Sequence, residues 1–217
     1  FLDAGANVVC LSRSDPMVQD QPNFSYYQCD VSDSERFKSI CKLIDSRYNG
    51  VDILVNAAGI SLPTGGSDTE FERFNKTLSV NLIATYQGCE IVSKFMRKNS
   101  SIINITSIGS VLGFPENPGY IARKGGVMAL TKSLAMDLSP KNIRVNNIVP
   151  GYIETDMTKK SFKDTELYNE RLSRMIIKRW GNVEDIAGAA IFLASNSSSY
   201  MTGTDIVIDG GWTAKGI

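Results

Sequence analysis

The chain has 217 residues, 42% of them apolar, and its 23 lysines and arginines balance its 23 aspartates and glutamates. This is enough apolar material for one sizeable core, and the charge balance supplies no global field to recruit nucleic acid or an anionic membrane. The absence of histidine excludes Ser-His-Asp and Cys-His triads and any histidine-ligated metal, so the expectation is no metal site.

In chain order, residues 1–7 read as the last turn of a helix, a glycine stop at Gly5 and the start of a strand. Strands are expected over 7–12, 24–29, 51–56, 101–106, 144–149 and 205–208, as apolar runs bounded by turn residues. A helix is expected over 34–48, where Phe37, Ile40, Cys41 and Ile44 share one face behind an Asp33 cap. Further helices fit 70–98 in two pieces, 119–138 and 183–195. The alternation predicts an α/β fold, a doubly wound parallel sheet in a single domain over 1–217. Residues 152–180 form the only long insertion and read as a substrate lid.

A doubly wound sheet opens with a strand and a glycine-rich turn that holds a pyrophosphate. No such motif precedes the strand at 7–12, so one βα unit, roughly 25–30 residues, is expected before Phe1. That strand would sit between the strands at 7–12 and 51–56. Cys10, Cys29, Cys41 and Cys89 show no CxxC pairing, and no leader or long apolar run is visible. A soluble protein of the reducing cytoplasm is expected.

Tyr120 and Lys124 stand four residues apart, on one face if the segment is helical. A nearby ammonium favours phenolate over phenol and moves the phenol toward a range useful for proton transfer. Alone, the spacing is common by chance and equally fits an exposed helical pair. Ser107 follows the strand at 101–106, at the strand end where open α/β sheets bind ligands, and its hydroxyl can orient a carbonyl oxygen or simply close a turn. Asn56-Ala57-Ala58-Gly59 ends another strand in small residues that let a flat ligand approach the backbone. Asn81 lies among apolar neighbours, where its amide must find a partner. Pro150-Gly151 closes a third strand.

Together with Asn104-Ile105-Thr106-Ser107 and Asp209-Gly210-Gly211, these motifs resemble the short-chain dehydrogenase/reductase family across essentially the whole chain. The resemblance implies a Rossmann-type fold and an NAD(P)-dependent oxidoreductase that interconverts carbonyl and alcohol. It implies that Tyr120 is the acid/base, that Lys124 tunes it and holds the nicotinamide ribose, and that Ser107 binds the substrate oxygen. Asn81 would hold a water of the proton relay. Asn56, Ala57, Ala58, Gly59, Pro150, Gly151, Ile153 and Thr155 would line the cofactor, with Asp30 and Val31 beside its adenine. The family's glycine motif has no counterpart here, which leaves the pyrophosphate without a holder.

Ser12 stands where an acidic residue would bond the adenosine 2′-hydroxyl, and Arg13 follows, so NADP(H) is favoured over NAD(H). The phrases at 151–157 and 181–187 look most like 3-oxoacyl-[acyl-carrier-protein] reductases, while sugar and polyol dehydrogenases share them. Lys98 and Lys141 could dock an acidic carrier, and Met175, Ile176 and Trp180 make the lid apolar. A homotetramer is expected, because the helix at 119–138 carries more apolar residues than one stripe and Trp212 adds an aromatic near the carboxyl end. A non-catalytic nucleotide-binding or scaffold protein is the reading of another class.

Overall fold

The computed structural model describes residues 1–14, 21–59, 69–115 and 117–215. The elements run β1 Val8–Ser12, β2 Phe24–Gln28, α1 Ser34–Tyr48, β3 Val51–Asn56, α2 Glu70–Leu78, a π-helical turn Ser79–Ile83 and α3 Ala84–Val92. There follow β4 Met96–Ile105, α4 Pro118–Leu138, β5 Arg144–Pro150, α5 Lys159–Lys163, α6 Thr165–Arg174, α7 Val183–Ala194 and β6 Asp205–Ile208. All strand pairs are parallel.

The strands form two hydrogen-bonded groups, β1-β2 and β3-β4-β5-β6, with the break falling between β1 and β3. Packing joins the two groups. Leu11 of β1 and Leu54 of β3 lie against one cluster of Phe37, Ile40, Cys41, Ile91 and Val92 from α1 and α3.

Helices cover both faces of the larger sheet, which is why its strands read as continuous apolar runs. Ile102 packs with Leu134, Ala135 and Leu138 of α4 on one face. Its neighbour Ile103 points the other way, to Ala190 and Leu193 of α7. Asp33 caps α1 as its side chain accepts the Arg36 amide proton at 3.0 Å. The four cysteines are free, and Cys29, Cys41 and Cys89 are buried. No helix among the described residues is long and apolar enough to cross a membrane.

The segment 70–98 departs from expectation at its end. Thr69 and Glu72 open α2 with a reciprocal capping box, but helix stops at Val92 and Met96 already pairs with Val51. The polar run Arg97-Lys98-Asn99 disguises this strand start. Arg97 holds it down, donating to the Asp52 carboxylate at 2.7 Å, to the Asn49 carbonyl at 2.8 Å and to the Tyr48 carbonyl. The segment 152–180, expected from the sequence to be a lid, carries α5 and α6, and its two ends meet where Ile153 bridges Gly181.

Candidate active site

The larger sheet ends, at its carboxyl edge, in turns after Asn56, Ile105, Pro150 and Ile208. Ser107, two residues past β4, is buried and extended, and its hydroxyl accepts the Gly109 amide proton at 3.1 Å. The turn is pressed against Tyr120. A Cβ at Gly109 would lie 3.1 Å from Tyr120 Cε1 and 3.2 Å from the Phe114 ring, so only a hydrogen fits there comfortably. Thus Ser107 and Tyr120, 13 residues apart, meet through a glycine.

Pro118 starts α4 with its fixed φ, placing Tyr120 in the first turn and Lys124 one turn later. Lys124 is buried and its Nζ donates to the Ile105 carbonyl at 2.6 Å. Burial, reinforced by the charge of Arg123, holds its ammonium pKa down to about 7. Its Nζ lies 5.9 Å from the centroid of the Tyr120 ring.

Arg123 belongs to none of the motifs that mark the site in the sequence. Its guanidinium stands over the Tyr120 ring at 4.4 Å, closer than the lysine, and the side chain is 2% exposed. Burial lowers its pKa to about 10 against the opposing pull of Tyr120, and its Nε has no hydrogen-bond partner among the described residues. One faint signal is present in the sequence, a charged residue three positions after the tyrosine and hence on the same side of the helix.

Asn81 lies buried in the π-helical turn, a widening that recurs at functional sites. Its Nδ2 donates to the Thr77 carbonyl at 2.8 Å. Asn81 and Arg123 converge on Gly59, where a Cβ would come within 2.9 Å of Asn81 Oδ1 and 3.1 Å of Arg123 Nη1. Ala57 and Ala58 beside it are exposed, with only methyl groups to shield their backbone.

Pro150-Gly151 lies against the last turn of the sheet. A Cβ on Gly151 would sit 2.7 Å from Asp209 Cα, so the glycine is demanded by Asp209-Gly210-Gly211 rather than by a ligand alone. Ile153 is buried, and Thr155 is exposed with its amide donating to Thr158 Oγ1 at 2.9 Å.

Ser12, Arg13, Asp30 and Val31 form a separate group at the carboxyl ends of β1 and β2. The Ser12 carbonyl accepts from the Tyr26 hydroxyl at 3.1 Å and the Arg13 carbonyl from Gln28 Nε2 at 2.9 Å. Hydrogen bonds from Ser32, and to a lesser degree the Arg13 guanidinium, hold the Asp30 carboxyl below its usual range. Val31 packs against the α1 cluster.

A nicotinamide dinucleotide fits the first group at its nicotinamide-ribose end. The cradle of Gly59 and the exposed Ala57 and Ala58 lets a flat ring reach the backbone, and Lys124 presents a buried ammonium with one proton on Ile105. Among the described residues no glycine-rich turn runs into a helix N-terminus.

Several residues that the motifs bring forward serve the lid or the far end of the sheet. In 181–187, Gly181 lies against Ile153, where a Cβ would meet Cδ1 at 2.4 Å and the end of the isoleucine side chain would have to turn aside. Asn182 caps α7 in a reciprocal box with Asp185, and Asp185 pairs with Arg179 at 2.7 Å, so these polar residues fix the start of the helix. Lys98 lies near the start of β4 and Lys141 just before β5, at the sheet end opposite Ser107, which removes the support they offered for a docked carrier. Trp212 packs inward on Tyr152 at 4.8 Å rather than standing free, and Trp180 and Met175 are buried within the lid.

The family model described as enoyl-(acyl carrier protein) reductase matches residues 1–213. The 3-oxoacyl-[acyl-carrier-protein] reductase FabG of Chlamydia pneumoniae is 40% identical over 191 residues, spanning 87% of this chain and 76% of the relative. A gluconate 5-dehydrogenase from Burkholderia cenocepacia, solved with NADP and tartrate, superposes with a TM-score of 0.88 at 28% identity, covering 99% of this chain and 88% of that one. A 4-hydroxyisoleucine dehydrogenase complexed with NADH gives a TM-score of 0.90 at 31% identity, covering 99% and 91%. The geometry and these likenesses agree: the chain belongs to the short-chain dehydrogenase/reductase family and is an NAD(P)-dependent oxidoreductase acting on a CH–OH or C=O group.

Proposed function

We propose that Tyr120 transfers the proton, Ser107 orients the substrate oxygen and Lys124 supplies the charge behind the phenol, in an enzyme that prefers NADP(H) and reduces a 3-oxoacyl thioester. The observation that carries this reading is the meeting of three elements. The Ser107 turn presses on the Tyr120 ring through Gly109, with Lys124 buried behind on the Ile105 carbonyl. When bound, the nicotinamide supplies or accepts the hydride. Ser107 donates its hydroxyl proton to the substrate oxygen, and Tyr120 gives its proton to that oxygen as the carbonyl becomes an alcohol. Lys124 favours the phenolate left behind, and Asn81 and Gly59 line the approach to it.

Arg13 beside Ser12 supports NADP(H), and the likeness to the Chlamydia reductase supports the thioester. The likeness to the gluconate dehydrogenase favours a second reading, oxidation of a sugar acid or polyol. Both are tested by following NADPH and NADH absorbance with an acetoacetyl thioester and, in reverse, NADP and NAD with gluconate. Faster turnover of NADPH with the thioester supports the first reading; activity on gluconate alone replaces it with the second, and turnover of neither class under saturating cofactor refutes both.

A homotetramer is part of the same proposal. An apolar groove of about 510 Å³ runs between the π-helical turn and α4, lined by Leu82, Ile83, Tyr86, Gly126, Ala129 and Leu130. Ile83 and Tyr86 are about half exposed, the kind of surface that a second copy covers through a two-fold axis. Light scattering at micromolar concentration decides it, and a monomeric mass refutes it. The free cysteines fit a reducing, cytoplasmic setting.

A further inference from the structure

Four side chains stand side by side in register across the larger sheet: Asn56 of β3, Asn104 of β4, Asn147 of β5 and Asp205 of β6. They are linked. Asn56 Nδ2 donates to Asn104 Oδ1 at 2.8 Å, and Asn104 Nδ2 donates to the Thr131 hydroxyl of α4 at 2.8 Å. That hydroxyl donates to Asn147 Oδ1 at 2.7 Å, and Asn147 Nδ2 donates to Asp205 Oδ1 at 2.7 Å. Asn104, Thr131 and Asn147 are wholly buried.

The direction of the row follows from its charged end. A carboxylate only accepts, so Asn147 must turn its NH2 to Asp205 and its oxygen to Thr131. A hydroxyl has one proton, so Thr131, having donated it to Asn147, can only accept from Asn104. Asn104 must then offer its oxygen to Asn56. One carboxylate thus fixes the orientation of three amides and a hydroxyl, and bonds aligned head to tail polarise one another.

Each strand member lies upstream of a site segment. Asn56 opens the Ala57–Gly59 turn, Asn104 precedes Ser107, and Asn147 precedes Pro150-Gly151. Asp205 precedes Asp209, which seats Gly151. Thr131 follows Lys124 by seven residues, about two helical turns, so it lies on the same stripe of α4 as the lysine. Apolar packing alone allows a helix to slide over a sheet; a row of directional buried bonds does not.

Resting on the reading of Tyr120 and Lys124 as the proton-transfer pair, we propose that this row is the positioning frame of the site. Thr131 is the pin that fixes α4 against the carboxyl ends of the strands. It touches no reacting atom and acts through the placement of Tyr120 and Lys124 relative to Ser107.

Thr131→Val keeps the shape of the side chain and removes its hydroxyl, leaving Asn104 without an acceptor and Asn147 without a donor. The comparison is with Thr131→Ser, which restores the hydroxyl, and with Leu134→Ala, which destabilises α4 three residues further on without touching the row. Thr131→Val is expected to lower kcat about tenfold or more with KM for cofactor changed less than about twofold. Thr131→Ser recovers most of kcat, and Leu134→Ala lowers the melting temperature but leaves kcat within about twofold. Equal loss in Thr131→Val and Leu134→Ala, or no recovery with serine, overturns the proposal.

Hydrogen exchange reads the frame without turnover. Amides at 104–107 and 147–151 should exchange faster in Thr131→Val than in Leu134→Ala, and equal exchange overturns the frame. An unmodified protein without oxidoreductase activity overturns the functional reading instead, while the exchange result still decides the frame. If Thr131→Val does not fold, Asp205→Asn removes the charge that sets the direction from the edge of the sheet. Faster exchange at 104–107, two strands away, then supports the frame, and unchanged exchange there overturns it.

Discussion

The carboxyl end of the four-stranded sheet and the lid above it are held by different forces. At the sheet end, Asn81, Ser107, Arg123 and Lys124 are buried, and Asn81, Ser107 and Lys124 are fixed by bonds of 2.6–3.1 Å to backbone. In the lid neither α5 nor α6 has a buried residue. Rings hold it instead: Tyr168 stacks on Trp180 at 5.7 Å, Phe162 meets the indole edge-on at 5.4 Å, and Arg171 lies over Tyr152 at 4.8 Å. Hydrogen bonds set position to a fraction of an ångström, whereas ring contacts tolerate sliding. Of the two, the sheet end is therefore the more narrowly positioned. That positioning carries a cost, since two cations lie desolvated beside one phenol.

Removing the phenol hydroxyl breaks the comparison most severely. Tyr120→Phe keeps the ring under Arg123 and against Gly109, so the fold and cofactor affinity should survive while turnover falls about 10²–10⁴-fold. Steady-state kinetics with a fluorescence titration of cofactor checks both halves, and near-normal turnover sinks the assignment.

Lys124→Met should lower turnover about 10²-fold and stabilise the fold. Burial holds the lysine pKa at about 7, while the unfolded chain keeps its proton to the ordinary value of 10.5. Below pH 7 both states are charged and the folded one bears the whole desolvation penalty. As pH rises from about 7 toward 10.5, the unfolded state binds more protons and the penalty is relieved. The gain from methionine should therefore be largest below pH 7 and fade toward about pH 10. Thermal melts across that range test the sign, and a gain that grows with pH contradicts it.

The candidates at the sheet end and the extent of the insertion at 152–180 can be read in the sequence; the packing inside that insertion cannot. Asn56-Ala57-Ala58-Gly59, Ser107, Tyr120, Lys124 and Pro150-Gly151 come forward as candidates on strand ends, small residues and helical spacing, each with a bland alternative, and the family resemblance is what joins them into one site. Arg123 and Thr131 escape because their importance lies in partners far along the chain: Gly59 for the first, Asn104 and Asn147 for the second. In the lid, the apolar character of Met175 and Trp180 is plain in the sequence, but only the folded chain shows both turned inward while Ile176 stays 56% exposed.

Trp180 tests the lid side. It is 5% exposed and touches three rings, yet its indole N–H has no partner among the described residues. Trp180→Ala should cost the lid about 3 kcal/mol, seen as faster hydrogen exchange over 159–174 and a raised substrate KM with kcat less affected. Trp180→Phe loses no hydrogen bond and should cost about 1 kcal/mol or less. An equal effect of the two would mean that a polar contact, and not ring packing, holds the lid.

The smallest effect is expected farthest from the chemistry, at Arg13. Its exposed guanidinium is free to meet a 2′-phosphate, but it also stands near Asp30, whose carboxyl it helps to hold ionised. Part of its charge is thus already answered within the protein. Arg13→Ala should weaken NADPH binding by about 1.5 kcal/mol, the lower end for a charge-assisted bond, or roughly tenfold. NADH, with a hydroxyl in that place, should lose far less. Adding salt should weaken NADPH binding to the unmodified protein more than to the variant, because an exposed charge pair is screened. Titration calorimetry with both cofactors at two ionic strengths separates the outcomes. Equal losses for NADPH and NADH would show that Arg13 supports the turn after β1 and leaves the choice of cofactor to other residues.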